Sequence, residues 1–140
     1  MKPGNKILEI GTASGYNTAL LSQLTGKQGK VCTLEIIKEL CTMAKKNLKN
    51  YKNVHVICAD GSQGYKKEAP YDRIIVTAAA PRIPKPLQQQ LKNNGKLVIP
   101  AGNKLEQKMI VATKTNNTIT TKSIGDFIFV PLTGKYGFKN

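Results

Sequence analysis

Five short apolar runs, separated by connectors long enough for helices, constrain this chain more than anything else in it. They occupy residues 6–10, 30–35, 54–59, 73–77 and 96–100. Strands joined in this way pair in parallel, because antiparallel neighbours need only a tight turn. The connectors carry their own pattern. Residues 18–24 have apolar positions at helical spacing. Ile37, Leu40, Cys41, Ala44 and Leu48 recur at threes and fours with Lys38, Lys45, Lys46 and Lys49 outward. A third helix over about 86–91 opens on Pro86 and stops at Asn93-Asn94-Gly95. The C-terminal stretch differs. Runs at 109–113 and 127–131, separated by Asn116-Asn117 and Thr/Lys residues, have no helix between them and predict a hairpin or meander. One α/β domain over residues 1–140 follows, with a mostly parallel sheet and antiparallel C-terminal strands. Its length suffices for a core without disulfide or metal staples.

In a sheet of this kind, ligands bind outside the carboxyl ends of the strands, at the switch point beside the first one. Chemistry-bearing residues fall at those ends repeatedly. After the first run comes Gly11-Thr12-Ala13-Ser14-Gly15, a small-residue turn into a helix that lets a ligand approach the backbone. Glu35 follows the second run, twenty residues beyond Gly15, where a carboxylate can accept from both hydroxyls of a ribose; it could equally be a helix-leading acid that complements the dipole. The third run ends at Asp60-Gly61-Ser62, either an acceptor for an adenine amine with room for the ring or a favoured turn pair. Thr77-Ala78-Ala79-Ala80-Pro81 leaves the end of the fourth run open, as a pocket floor would be. Glu9, just inside the first turn, repels a pyrophosphate and suits a cationic group. The set fits an adenosine-bearing cationic cofactor, S-adenosylmethionine, better than a dinucleotide.

Four blocks then carry a resemblance over residues 6–134. They are the turn at 9–16, Pro-Tyr-Asp-Arg-Ile-Ile-Val-Thr-Ala-Ala-Ala-Pro at 70–81, Gly-Lys-Leu-Val-Ile-Pro at 95–100 and Phe-Val-Pro-Leu-Thr-Gly at 129–134. Together they resemble the protein-L-isoaspartate O-methyltransferase family. The first block is shared with many methyltransferases, whereas Thr-Ala-Ala-Ala-Pro and Val-Pro-Leu-Thr are more particular. The resemblance implies a Rossmann-like S-adenosylmethionine-dependent methyltransferase fold. Glu9 and the turn residues Gly11, Thr12, Ala13, Ser14 and Gly15 would line the methionine side of the cofactor. Glu35, with Ile36 beside it, would hold the ribose, and Asp60 with Gly61 would flank the adenine. Ala78 and Ala79 would border the methyl-transfer position. Pro131, Leu132 and Thr133 would close the site near cofactor and peptide. The implied reaction esterifies the free α-carboxylate of L-isoaspartyl residues in damaged proteins, which initiates their repair. No metal takes part.

Two departures qualify the resemblance. Ala13 stands where the family has glycine, at a cost of about 1–2 kcal/mol if the position needs a positive φ. The family's segment with a catalytic serine and a nearby histidine would precede the first strand, and nothing in residues 1–5 matches it. No catalytic residue is therefore assigned, and cofactor binding is expected to survive better than turnover. A non-catalytic cofactor-binding module and an RNA methyltransferase stand as alternatives. The latter is favoured by charge but lacks an Asn/Asp-Pro-Pro-Tyr/Phe sequence after the fourth strand and a Pro-Cys nucleophile. A small-molecule methyltransferase is opposed by Val-Pro-Leu-Thr.

The net charge of +14, from 22 Lys+Arg against 8 Asp+Glu, is spread along the chain and almost entirely lysine. It reads as solvated surface rather than a nucleic-acid footprint. Cys32, Cys41 and Cys58 show no zinc or redox spacing and are expected to be reduced core thiols. His55, flanked by Val54 and Val56, reads as a packed or surface residue rather than a catalytic one. No run approaches a membrane span and no signal sequence opens the chain, so a soluble cytoplasmic protein is expected. A monomer is expected as well, and the resemblance implies isoaspartyl proteins and peptides as partners.

Overall fold

The structure, a computed structural model, describes residues 1–139. Strands β1 (Lys6–Ile10), β2 (Lys30–Glu35), β3 (Val54–Cys58), β4 (Tyr71–Val76) and β5 (Leu91–Gly102) pair in parallel. Strands β6 (Gln107–Thr115) and β7 (Thr118–Phe127) continue the same sheet antiparallel, giving the order β3-β2-β1-β4-β5-β6-β7. Helices α1 (Tyr16–Thr25) and α2 (Lys38–Asn47) follow β1 and β2, and the short α3 (Lys85–Gln90) precedes β5. The chain runs outward from β1 to β3 and returns to β4 on the other side of β1. That return creates the switch point between β1 and β4.

Alternation along each strand divides the core. Ile7 and Val31 pack with Leu21 of α1 on one face. Leu8, Ile10, Leu34, Ile74, Val76, Leu97 and Ile99 pack on the other, beneath Leu87, Leu91 and Leu132. Every one of these side chains is at most 5% exposed. At about 25 cal/mol per Å² of apolar surface, that continuous layer is the main stabilising contribution and holds the strand ends in register.

The last strand differs from the expected one. Of the expected run 127–131 only Phe127 lies in a strand, as the last residue of β7, which starts at Thr118. Asn116 (φ 50°) and Asn117 (φ 63°) both lie in the left-handed region. They make a two-residue turn that pairs Thr115 directly with Thr118. β7 is an edge strand exposed along nearly its whole length, so it needed no apolar run and offered none. The segment after it leaves the ladder. The Ala79 amide donates to Val130 O at 2.8 Å and the Leu132 amide to Ala79 O at 2.7 Å, which lays residues 130–132 beside the extension of β4.

The cysteine expectation is also corrected. Cys41 of α2 and Cys58 at the end of β3 form a disulfide, with Cα atoms 5.7 Å apart. Helix packing on the sheet brings together two residues 17 apart that no local motif links. Cys32 alone is a free thiol, buried in the sheet, and burial pushes its pKa up.

Candidate active site

The β1–α1 turn takes its shape from three left-handed residues. Gly11 (φ 96°), Ala13 (φ 49°) and Gly15 (φ 91°) alternate along it, so the condition for strain at Ala13 is met. A Cβ on Gly11 would stand 2.4 Å from Thr77 Oγ1. That hydroxyl contacts Ile10 O and Gly11 O, each at 2.9 Å, and so fastens the end of β4 to the start of the turn.

Glu9 lies under the turn, fully buried, on the α1 side of the sheet. Asn17 Nδ2 donates to its Oε1 at 2.8 Å, and the hydroxyls of Thr33 (2.6 Å) and Thr18 donate to Oε2. Because Thr33 gives its proton to Glu9, Thr12 is the donor in the 2.6 Å contact between the two threonines. One carboxylate thereby ties β1, β2, the turn and the opening of α1 together. Burial pushes the Glu9 pKa up, against the lowering effect of those three donors.

Glu35 is buried at the end of β2, where the amides of Ala13 (2.9 Å) and Ile37 (3.0 Å) each donate to one of its oxygens. Each oxygen keeps a second acceptor position. Asp60 is used more fully. Its Oδ1 accepts from the Ser62 amide and hydroxyl (2.9 and 2.7 Å), and its Oδ2 from Gln63 Nε2 (3.1 Å) and the Lys135 amide (2.8 Å). Partial burial raises the Asp60 pKa, but the donors led by Lys135 outweigh it and hold the carboxyl below its ordinary value. Asp60 therefore caps the short turn at 61–63 and clasps the C-terminal segment.

At the switch point these elements enclose a cavity of about 200 Å³. Gly11, Ala13, Glu35, Ile36, Gly61, Ala78, Pro131, Leu132 and Thr133 line it, bringing together most of the residues expected from sequence. The remaining expected residues sit elsewhere. Glu9 and Thr12 are enclosed beneath the turn, Ala79 is fully buried, and Ser14 faces outward with its carbonyl accepting from Asn47. Gly15 packs under the turn against Leu48, and Asp60 faces the C-terminal segment. Ile10, Leu34, Ile37, Leu40, Thr77 and Val130 complete the wall and were not foreseen as site residues. Ile37 and Leu40 belonged to the apolar stripe of α2, and only its packing angle turns their end of the stripe toward the cavity.

The cradle fits a nucleoside in chemistry and, for the part it encloses, in space. It offers a ribose-type acceptor at Glu35, apolar walls, and a closely approachable turn. A Cβ on Gly61 would stand 2.5 Å from Ile10 Cγ2, so glycine there keeps the flank clear. At about 200 Å³ the enclosed part is smaller than the roughly 300–1,000 Å³ of typical ligand pockets, so part of such a ligand would lie at the open mouth.

Comparisons with known proteins bear on the family and the fold. The chain matches the family model for protein-L-isoaspartate(D-aspartate) O-methyltransferase (PCMT) over residues 1–137. It is 49% identical over 142 residues to protein-L-isoaspartate O-methyltransferase 2 of Archaeoglobus fulgidus, covering 100% of this chain and 65% of that protein. A solved protein-L-isoaspartate O-methyltransferase superposes with a TM-score of 0.91 at 31% identity, covering 97% of this chain and 44% of the other. A PCMT structure from Plasmodium falciparum in complex with S-adenosyl-L-homocysteine gives 0.84 at 30% identity, covering 94% and 67%. The chain thus spans about two thirds of the length of the curated relative from Archaeoglobus. Its fold is that of the S-adenosylmethionine-dependent methyltransferases. In sequence and in fold, the chain belongs to the protein-L-isoaspartate(D-aspartate) O-methyltransferase family.

Proposed function

We propose that this site transfers a methyl group from S-adenosylmethionine to the free α-carboxylate of L-isoaspartyl residues in proteins. The observation that carries the reading is the switch-point cavity, whose walls are the small-residue turn, Glu35, Gly61 and the open end of β4 at Ala78. When bound, S-adenosylmethionine supplies a methyl group activated by its sulfonium. The acceptor carboxylate has a reference pKa of roughly 3.3–3.7 and is ionised at neutral pH, so the chain needs no general base. Its own residues bind and orient. The turn at 11–15 would seat the methionine portion, Glu35 would take ribose hydroxyls on its spare acceptor positions, and Gly61 would keep the flank clear for the base. Leu34, Ile36, Ile37, Leu40 and Leu132 would exclude water. Ala78 leaves the end of β4 uncrowded where the carboxylate must arrive in line, and alignment of this kind contributes several kcal/mol. The ester formed on the acceptor then loses methanol as the following backbone amide nitrogen closes a succinimide. As part of the same reading we expect a cytoplasmic monomer with proteins, rather than nucleic acid or membranes, as partners.

Labelled methyl transfer tests the reading against an isoaspartyl peptide, its aspartyl twin and bulk RNA. Label in the isoaspartyl peptide alone supports it. Label in RNA, or equal label in the two peptides, refutes it. Saturable S-adenosylhomocysteine binding with no label anywhere would identify a cofactor-binding module instead.

A further inference from the structure

A second concavity, of about 710 Å³, opens between the β4–α3 loop and the C-terminal segment. It continues the walls of the first. Ala78 lines the inner cavity and Pro81 the outer one, three residues on; Thr133 lines the inner and Lys135 the outer, two residues on. Three residues of extended chain span at most about 10 Å, so the outer groove starts within a few residues' reach of the methyl-transfer position.

Four cations, Arg82, Lys85, Lys135 and Lys139, line this groove, and no Asp or Glu does. None of the four forms a salt bridge among the described residues. Lysines also line a concavity near residues 22–30 and 50–55, but there Lys30 is paired with Glu68; the outer groove gathers four cations, none of them paired, directly beside the site. The wall is also preorganised. The Lys135 amide is held by Asp60 at 2.8 Å, the Tyr136 amide by Ser62 Oγ at 3.0 Å and the Phe138 amide by Leu132 O at 2.9 Å. The Lys135 ammonium lies 5.6 Å from the Tyr136 ring centre. Ile83, Pro84 and Phe138 supply an apolar surface between the charges.

Unpaired cations around an apolar groove with a held backbone fit an extended polypeptide with acidic side chains. We propose that this groove is a specificity site, selecting protein substrates that carry Asp or Glu two to four residues from the methyl-accepting residue. The inference rests on the methyl-transfer reading of the inner cavity, and its test separates the two.

The test uses isoaspartyl peptides that differ only in carrying Glu, Ala or Lys at those flanking positions. They are assayed at low and high salt with the wild-type chain and the K85E/K139E and R82E variants. Each peptide is also fluorescently tagged for direct binding by anisotropy, and each variant is checked by its S-adenosylhomocysteine affinity and thermal melt. The Glu peptide should exceed the Lys peptide about tenfold in kcat/KM at low salt, chiefly through KM, with the gap shrinking as salt rises. In both variants the preference should fall below about threefold or invert, with cofactor affinity unchanged. Equal treatment of Glu and Lys peptides by the wild type overturns the proposal, as does a preference that survives both variants. If no peptide is methylated, the methyl-transfer reading fails and the anisotropy series still decides for or against the groove.

Discussion

Cleaving the Cys41–Cys58 disulfide is the perturbation whose size follows most directly from the structure. The bridge closes a loop over 17 positions, for which the chain-entropy relation gives a contribution of about 3 kcal/mol at 25 °C. At roughly 3 °C per kcal/mol for a chain of this size, reduction should lower Tm by about 10 °C. Guanidinium and thermal unfolding with and without a phosphine reductant measure this directly. Thiol titration in denaturant defines the two states: Cys32 alone reacts in the oxidised chain, and all three cysteines react in the reduced one. Cys58 is exposed and Cys41 is buried, so the reductant enters from the β3 end. A C41A/C58A variant without reductant should match the reduced protein to within the small packing loss at position 41. A stability difference below about 1 kcal/mol would refute the reasoning, since the entropy of so long a loop cannot be that small in this relation. Three titratable thiols in the air-oxidised protein would refute the bond itself.

Further substitutions probe the site. Ala13→Gly removes the left-handed penalty of about 1–2 kcal/mol and gives back up to about 1 kcal/mol in chain entropy; a net gain of roughly 0.5–1 kcal/mol should appear as a higher denaturant midpoint. Asp60→Asn replaces an acceptor oxygen by a donor facing Gln63 or Lys135 and should cost about 1–3 kcal/mol at neutral pH. Because the folded Asp60 pKa lies below the unfolded value of about 3.9, its contribution is complete above that value and is lost as pH falls through the folded one. The wild-type and Asp60→Asn urea midpoints should therefore differ by a constant amount from pH 7 to about 5 and converge in more acid solution. Gly61→Ala places a methyl 2.5 Å from Ile10 Cγ2; it should destabilise by about 1–3 kcal/mol and weaken S-adenosylhomocysteine binding in calorimetry.

Much of the cavity wall was legible because its signals are local. A glycine, an acid or an alanine run directly after an apolar strand needs no partner from elsewhere to be recognised. The parallel sheet then carries such residues to a common edge, as with Gly11, Glu35, Gly61 and Ala78. Glu9 shows where that logic stops. Its place inside the turn suggested a ligand-facing charge, yet alternation along β1 points it beneath the turn toward Thr18 and Thr33. The edge strand β7 escaped notice for a related reason: exposure on both faces removes the apolar pattern that marks a buried strand.

The sequence by itself determined the α/β order, which residues stand at the strand ends, and the family, since these rest on short spacings and on composition within single elements. Tertiary structure alone decided which acids are free and which are spent. Glu35 keeps spare acceptor positions because only two amides reach it, whereas Asp60 is filled once the C-terminal segment folds back across 75 positions to meet it. The disulfide, the walls from Ile37 and Leu40, and the cationic groove likewise depend on segments distant in the chain. Such contacts are made by the packing of whole elements on the sheet, and no local pattern of residues encodes them.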